Sequence, residues 1–222
     1  MWSRQEIKEN AKEKLKTSYW TPFFISLALA IAVGGLSSSR YTADKGDLVG
    51  SGLFFIPIVL GAMTMTIIGI ALMIFVFGPL ETGCRKSYLE YLKGNENLSE
   101  IISAFKSPHY KNIVKAMLLT RVMIFLWTLL LIVPGIIKAY QYRFVPYILA
   151  ENPEINAYEA MAISTDLTNG HKADMFVMDL SFIGWYILGG LALGVGVLFV
   201  NPYRDTSFTM LYNKLQMQTP EV

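Results

Sequence analysis

The chain has 222 residues, 53% of them hydrophobic and only 16% charged, with a mean hydropathy of +0.41 and a formal net charge of +2. That composition departs from a soluble globule and suits a single helical bundle, and so small a net charge leaves no nucleic-acid footprint. One cysteine, Cys84, excludes an internal disulfide framework and a cysteine-based zinc site; the two histidines, His109 and His171, are too isolated for a metal cluster, so neither metal nor cofactor is expected.

Residues 1–18 predict a short amphipathic helix. Ser3 and Glu6 have capping-box spacing, Ile7, Ala11 and Leu15 recur every fourth position, and Arg4, Lys8, Lys12, Lys14 and Lys16 cover the other face. The pattern suits an anionic membrane surface or a solvated helix that precedes a span. The first apolar span, Tyr19–Leu36, opens on the interfacial pair Tyr19-Trp20 with Pro22 in its first turn. Acidic residues ahead of it argue against a cleaved signal peptide. A polar loop, 37–52, leads to a second span, Leu53–Leu80, which ends at Gly78-Pro79. Glu81 and Arg85 follow on one helical face, either as an exposed pair or as a buried pair at the mouth of a bundle.

Between Tyr88 and Lys115, Asn97 and Glu100 predict a capped short helix with Leu98, Ile101, Ile102 and Phe105 along one side. The lysines and arginines of this stretch match those of the N-terminus, and the positive-inside rule puts both in the cytoplasm. The stretch Met117–Leu149 organises the rest. Met117–Val133 carries one charge, Arg121, and is long enough to cross most of a bilayer core. Pro134-Gly135 then predicts a kink or tight turn. Beyond it, Lys138 and Arg143 sit among Tyr140, Tyr142 and Tyr147, a mixture suited to the headgroup boundary or a wet cavity. Asn156 with Glu159 starts a short helix through Leu167 that stops at Asn169-Gly170. The last apolar stretch, Met175–Val200, contains Asp179 and Trp185; Asn201-Pro202 ends it, and a short amphipathic tail follows.

The expected fold class is all-α: a polytopic transmembrane helical bundle with short amphipathic interfacial helices, one domain over residues 1–222 with the bundle proper at 19–216. Four spans fall near 19–36, 53–77, 113–134 and 175–200. The alternative is six, with 136–150 a short fourth span and the last stretch plus tail closing as a hairpin around Gly189-Gly190. Both counts put the two termini in the cytoplasm.

The blocks REIKENAKEKLKTSYWTPFFISL, GPLETGCRKSYL, LLLIVPGIIKAYQYRFVPYILAENP, TNGHKADMFVMDLSFIGWYILG and FVNPY together resemble the bacterial integral-membrane family known as domain of unknown function 975, over nearly the whole chain. The sequence is also distantly similar to the membrane domain of some glycerophosphodiester phosphodiesterases, usually drawn with six helices, which favours six spans over four. The resemblance implies a multi-pass protein of the bacterial cytoplasmic membrane. It carries no established activity, and no phosphodiesterase catalytic domain is present.

No phosphate-binding glycine loop, H-E-x-x-H, G-x-S-x-G or metal-ligand spacing occurs, and no enzymatic activity is expected. What stands out is ionisable groups in or beside apolar spans: Glu81, Arg85, Arg121, Lys138, Arg143, Asp174 and Asp179. Each costs about 2.5–3.5 kcal/mol at the bilayer centre on the insertion scale, so each should face a partner or water. They either pair to fix helix register or border a cavity. The candidate ligand-binding set is Arg121, Lys138, Tyr140, Tyr142, Arg143, Tyr147, Asp179 and Trp185, beside the break at Pro134 and Gly135. The expected function is non-enzymatic binding of a membrane lipid, or of a membrane-protein or peptide partner, in envelope stress or peptide resistance. The alternative is a small transporter or permease-like subunit with a discontinuous helix at Pro134-Gly135.

Overall fold

The computed structural model describes residues 3–32, 55–191 and 196–218, and all regular structure among them is helical. The polar loop expected at 37–52 lies outside the described residues. Helix α1 (Arg4–Thr17) turns its predicted stripe inward. Ile7, Ala11 and Leu15 are buried, and the helix packs along the C-terminal helix of the bundle, Gly196–Gln218. The membrane-surface reading of that stripe is therefore corrected: another helix covers it. Ser3 makes no side-chain cap, so the expected capping box is not formed.

Helix α2 (Trp20–Ala32) is followed by α3 (Phe55–Leu72), a π-helical turn (Met73–Phe77) and α4 (Gly78–Leu92), and the last three form one uninterrupted rod. Gly78-Pro79 thus does not end the helix as expected. Pro79 has no N–H to offer the carbonyl four residues back, Phe75 O, and the chain widens into a π turn there. Two carbonyls of that turn accept hydrogen bonds from the helix Tyr110–Leu130: Phe75 O from Tyr110 Oη at 2.6 Å and Met73 O from Arg121 Nη1 at 2.8 Å. The proline marks a docking point, not a stop.

After α4, a 3₁₀ turn (Leu98–Ile102), capped by Asn97 through Ser99 N at 2.9 Å, leads through α5 (Ser103–Lys106) into α6 (Tyr110–Leu130). The break in the next segment lies at Leu131, which is extended (φ −156°, ψ 139°), and not at Pro134-Gly135. Pro134 instead occupies the first turn of α7 (Ile132–Gln141), where no N–H is needed. Helices α6 and α7 fold back on one another as a hairpin. Gly135 permits this, since a first side-chain carbon there would meet Thr128 Cα at 2.6 Å. The segment 136–150 is not a single helix: α7 stops at Gln141, and α8 (Val145–Glu151) is a separate helix buried from Val145 to Ala150.

Helix α9 (Ala157–Leu167) starts where expected, with Asn156 Oδ1 accepting from Glu159 N at 3.0 Å, and its exit passes through Gly170 at φ +77°. The stretch 175–200 is not one helix either. Helix α10 (Lys172–Leu191) ends within it and α11 (Gly196–Gln218) begins within it. Gly189 lies so close to Gly196 that a side-chain carbon would sit 2.7 Å from its carbonyl carbon. The stretch expected as one apolar helix in the four-span scheme is therefore split between two helices that pack together. Helix α11 runs on through Asn201-Pro202, so the supposed tail is the second half of a long helix.

Helix α4 is the hub, touching α2, α6, α8 and α11. Around it the core joins Leu89, Ile113, Met117, Phe144, Tyr147, Leu149, Met175, Phe208 and Tyr212. Glu6 and Lys214 pair at 2.8 Å, so the first and last described helices meet. The opposite pole is apolar and bare. Leu129 to Val133, at the tip of the α6–α7 hairpin, are 63–73% exposed, and α10 turns Phe176, Leu180, Ile183, Ile187 and Leu188 outward. Among the described residues, two helices, Leu60–Leu92 and Tyr110–Leu130, are long and apolar enough to cross a membrane; in the most apolar window of the first, no residue is buried, unlike the core helix of a globule.

Candidate functional site

A cavity of about 610 Å³ opens where α2, α4, α6, α7, α8 and α11 converge. Four arginines line it, from four separate stretches of chain: Arg85 on α4, Arg121 on α6, Arg143 just past α7, and Arg204 on α11. Two carboxylates, Glu81 and Asp205, join them in the lining. Arg121 Nη2 reaches Glu81 Oε2 at 3.2 Å, and Arg85 bridges Asp205 at 3.2 Å and Glu81 at 4.0 Å. The Glu81–Arg85 pair is therefore the buried one, its side chains 16% and 13% exposed.

Asp179, on α10, holds the other two arginines. It accepts from Arg143 at 2.8 Å, from Arg204 at 2.8 Å and from Tyr140 Oη at 2.8 Å. Aromatic faces fix the guanidinium planes. Arg143 lies 3.7 Å from the Phe208 ring centre, Arg204 stands 5.2 Å from the same ring, and Arg85 is 5.0 Å from that of Tyr147. Asp205 is held in turn by Ser26 Oγ at 2.7 Å; Ser26 also bonds Tyr88 Oη, which donates to Pro22 O at 2.8 Å. Arg85 Nε is buried without an acceptor among the described residues.

The cavity is polarised along the helix axes. On α6, Ile124 stands one turn nearer the hairpin tip than Arg121; on α7, Ala139 stands one turn nearer than Arg143; α2 adds Leu29. These small and apolar groups, with Asn201 of α11 beside them, thus rim the cavity on the tip side with the guanidiniums beneath, and Met117 and Pro146 add apolar lining on the other side. The outer surface changes at the same level. Leu118 and Val122 flank Arg121, Phe176 and Val177 precede Asp179, and all four are exposed.

Of the residues expected at the site, Arg121, Tyr142 and Arg143 line the cavity, while Tyr140, Tyr147 and Asp179 support it from behind. Lys138 is elsewhere, stacked between the Trp127 and Tyr142 rings at 5.3 Å from each. Trp185 is half exposed on the apolar pole, and Pro134 and Gly135 belong to the hairpin, not to the cavity wall. Asp174 is exposed and stands outside the cavity lining. Arg204, Asp205, Ser26 and Tyr88 do not stand out in the sequence as site residues. The signal for the first two is present, a charged pair one turn beyond an apolar run, but Asn201-Pro202 reads as a terminus. Among the described residues, no three His, Cys, Asp or Glu side chains converge as a metal site.

Residues 129–219 match the family model described as protein of unknown function (DUF975). Over that part, about two fifths of its length, the chain is similar to this family. That part carries the Arg143–Asp179–Arg204 cluster and Asp205, while Ser26, Glu81, Arg85 and Arg121 come from outside the matched stretch. No curated protein and no solved structure matches the chain, and the likeness to phosphodiesterase membrane domains finds no counterpart in these comparisons.

Proposed function

We propose that this protein, similar to the DUF975 family over residues 129–219, is a non-enzymatic, multi-pass protein of the bacterial cytoplasmic membrane that seats the anionic head of a lipid in the arginine-lined cavity. The observation that carries the reading is the cavity itself: four guanidiniums beneath a mostly apolar rim, at the level where the outer surface turns apolar. Guanidinium forks match phosphate oxygens, and an apolar exit suits acyl chains. Six apolar segments enter the membrane in this reading, as the pairs α2/α3, α6/α7 and α10/α11. In the α6–α7 pair the ten-residue rise from Arg121 to Leu131 is about 15 Å, half a hydrocarbon core. Pairing of Glu6 with Lys214 supports placing both ends on one side, and the lysines of α1 support the cytoplasmic one.

The transport alternative requires a discontinuous helix lining a path. The break lies instead at the exposed tip, at Leu131, so the two helix ends it creates stand away from the cavity. Delipidated protein in a neutral detergent tests the lipid reading. Added anionic phospholipid should raise the melting temperature, by linkage worth about 2.7 kcal/mol at a hundredfold excess over Kd. The double variant Arg143→Gln, Arg204→Gln should lose that response. An equal rise in both proteins would refute a site in this cavity.

A further inference from the structure

We infer that the cavity selects a phospholipid with one net negative charge and a hydroxyl-bearing headgroup, a phosphodiester of glycerol or a similar polyol. This rests on the lipid reading above and names its ligand class. The charges decide it. Among the described residues, Arg85, Arg121, Arg143 and Arg204 stand against Glu81 and Asp205 in the lining and Asp179 behind it, leaving a surplus of one positive charge. A single phosphodiester matches that surplus. A zwitterionic lipid brings its own ammonium and leaves the site's surplus of one positive charge uncancelled, and a doubly charged lipid brings one anion too many.

The hydrogen-bonding groups agree. Each guanidinium has five N–H donors, more than the carboxylates here engage, and buried Arg85 Nε has no acceptor among the described residues. These donors suit phosphate oxygens. Glu81 and Asp205 offer carboxylate oxygens in the same lining, beside Thr120 and Asn201. Headgroup hydroxyls donate to such oxygens without adding charge, whereas a headgroup ammonium would add one to a site already in positive surplus. The apolar rim residues Leu29, Ile124 and Ala139 point to an acyl-bearing ligand and not to a free phosphodiester.

The test is a competition read by native mass spectrometry on the full chain, with dioleoyl phosphatidylglycerol, phosphatidylethanolamine and cardiolipin at equal concentration, and soluble glycerophosphoglycerol as a fourth competitor. Phosphatidylglycerol should be retained about tenfold over each of the other lipids, and the water-soluble diester should not displace it. Glu81→Gln adds one positive charge and should shift the preference toward cardiolipin. Arg121→Gln removes one and should shift it toward phosphatidylethanolamine, each by about tenfold. Equal retention of the three lipids, or variants that fold with unchanged preference, would overturn the headgroup assignment while leaving the lipid reading intact. Retention of no lipid, or displacement by glycerophosphoglycerol, would overturn the lipid reading itself. Should either variant fail to fold, the wild-type ranking still decides.

Discussion

Arg143 and Leu131 bound the same short helix, yet their surroundings follow opposite rules. At the Arg143 end the charges are partnered: Asp179 alone takes hydrogen bonds from two arginines and a tyrosine, and aromatic rings back the guanidiniums. At the Leu131 end, leucine, isoleucine and valine turn outward, with a glycine holding two helices together. The first end is specified by polar groups that must be satisfied. The second is specified by close backbone contact and leaves its side chains exposed. Stability should therefore depend on the ring of charges and membrane insertion on the tips.

The sharpest way to break that division is Asp179→Ala. It strips Arg143, Arg204 and Tyr140 of their common acceptor, and an uncompensated buried charge costs about 3–5 kcal/mol, so thermal unfolding in detergent should show a collapse in stability. Gly135→Leu forces a side chain into Thr128 and should cost about 1–3 kcal/mol in the same assay, with helix α7 splayed from α6. Tyr110→Phe removes the donor to Phe75 O at the π turn, and a loss of about 1 kcal/mol is expected. Leu130→Asn at the bare tip should leave detergent stability within about 0.5 kcal/mol. In bilayers, a nitroxide on Leu130→Cys should be relaxed by oxygen and not by aqueous nickel; Cys84 is buried and offers no competing label.

The smallest effect concerns pH at the polar pole. Glu6 is held below its ordinary carboxylate value by its hydrogen bond and charge pairing with Lys214. Its folded value lies below its unfolded one. The pair's contribution is thus complete above the unfolded value and is lost as pH falls through the lowered folded one. Hydrogen exchange of α1 should quicken over that acidic window in the wild type, and Lys214→Met should abolish the pH dependence.

Much of this is legible in the sequence. The amphipathic stripe of α1, the Asn156 cap, the Gly170 exit and the apolar segments all follow from local pattern, because local spacing alone decides them. The punctuation is not. Three proline sites carry the local signature of a helix end, yet Pro79 is absorbed by a π turn, Pro134 starts a helix and Pro202 lies inside one. Each outcome depends on what other helices supply across the bundle, which spacing along one segment does not encode. The same signature hides Arg204 and Asp205, since a helix expected to end at Asn201-Pro202 has no next turn. Arg143, Asp179 and Arg121 stand out because a charge amid apolar residues is conspicuous by itself. Their partners come from distant helices, and only the fold brings them together.

Native mass spectrometry of protein extracted in gentle detergent tests most directly whether the four arginines hold a lipid phosphate. The wild type should carry one phospholipid per chain that survives into the gas phase, and the Arg143→Gln, Arg204→Gln variant, still folded, should be released bare. A wild type with no bound lipid, or a variant carrying the same lipid at the same occupancy, would contradict that reading.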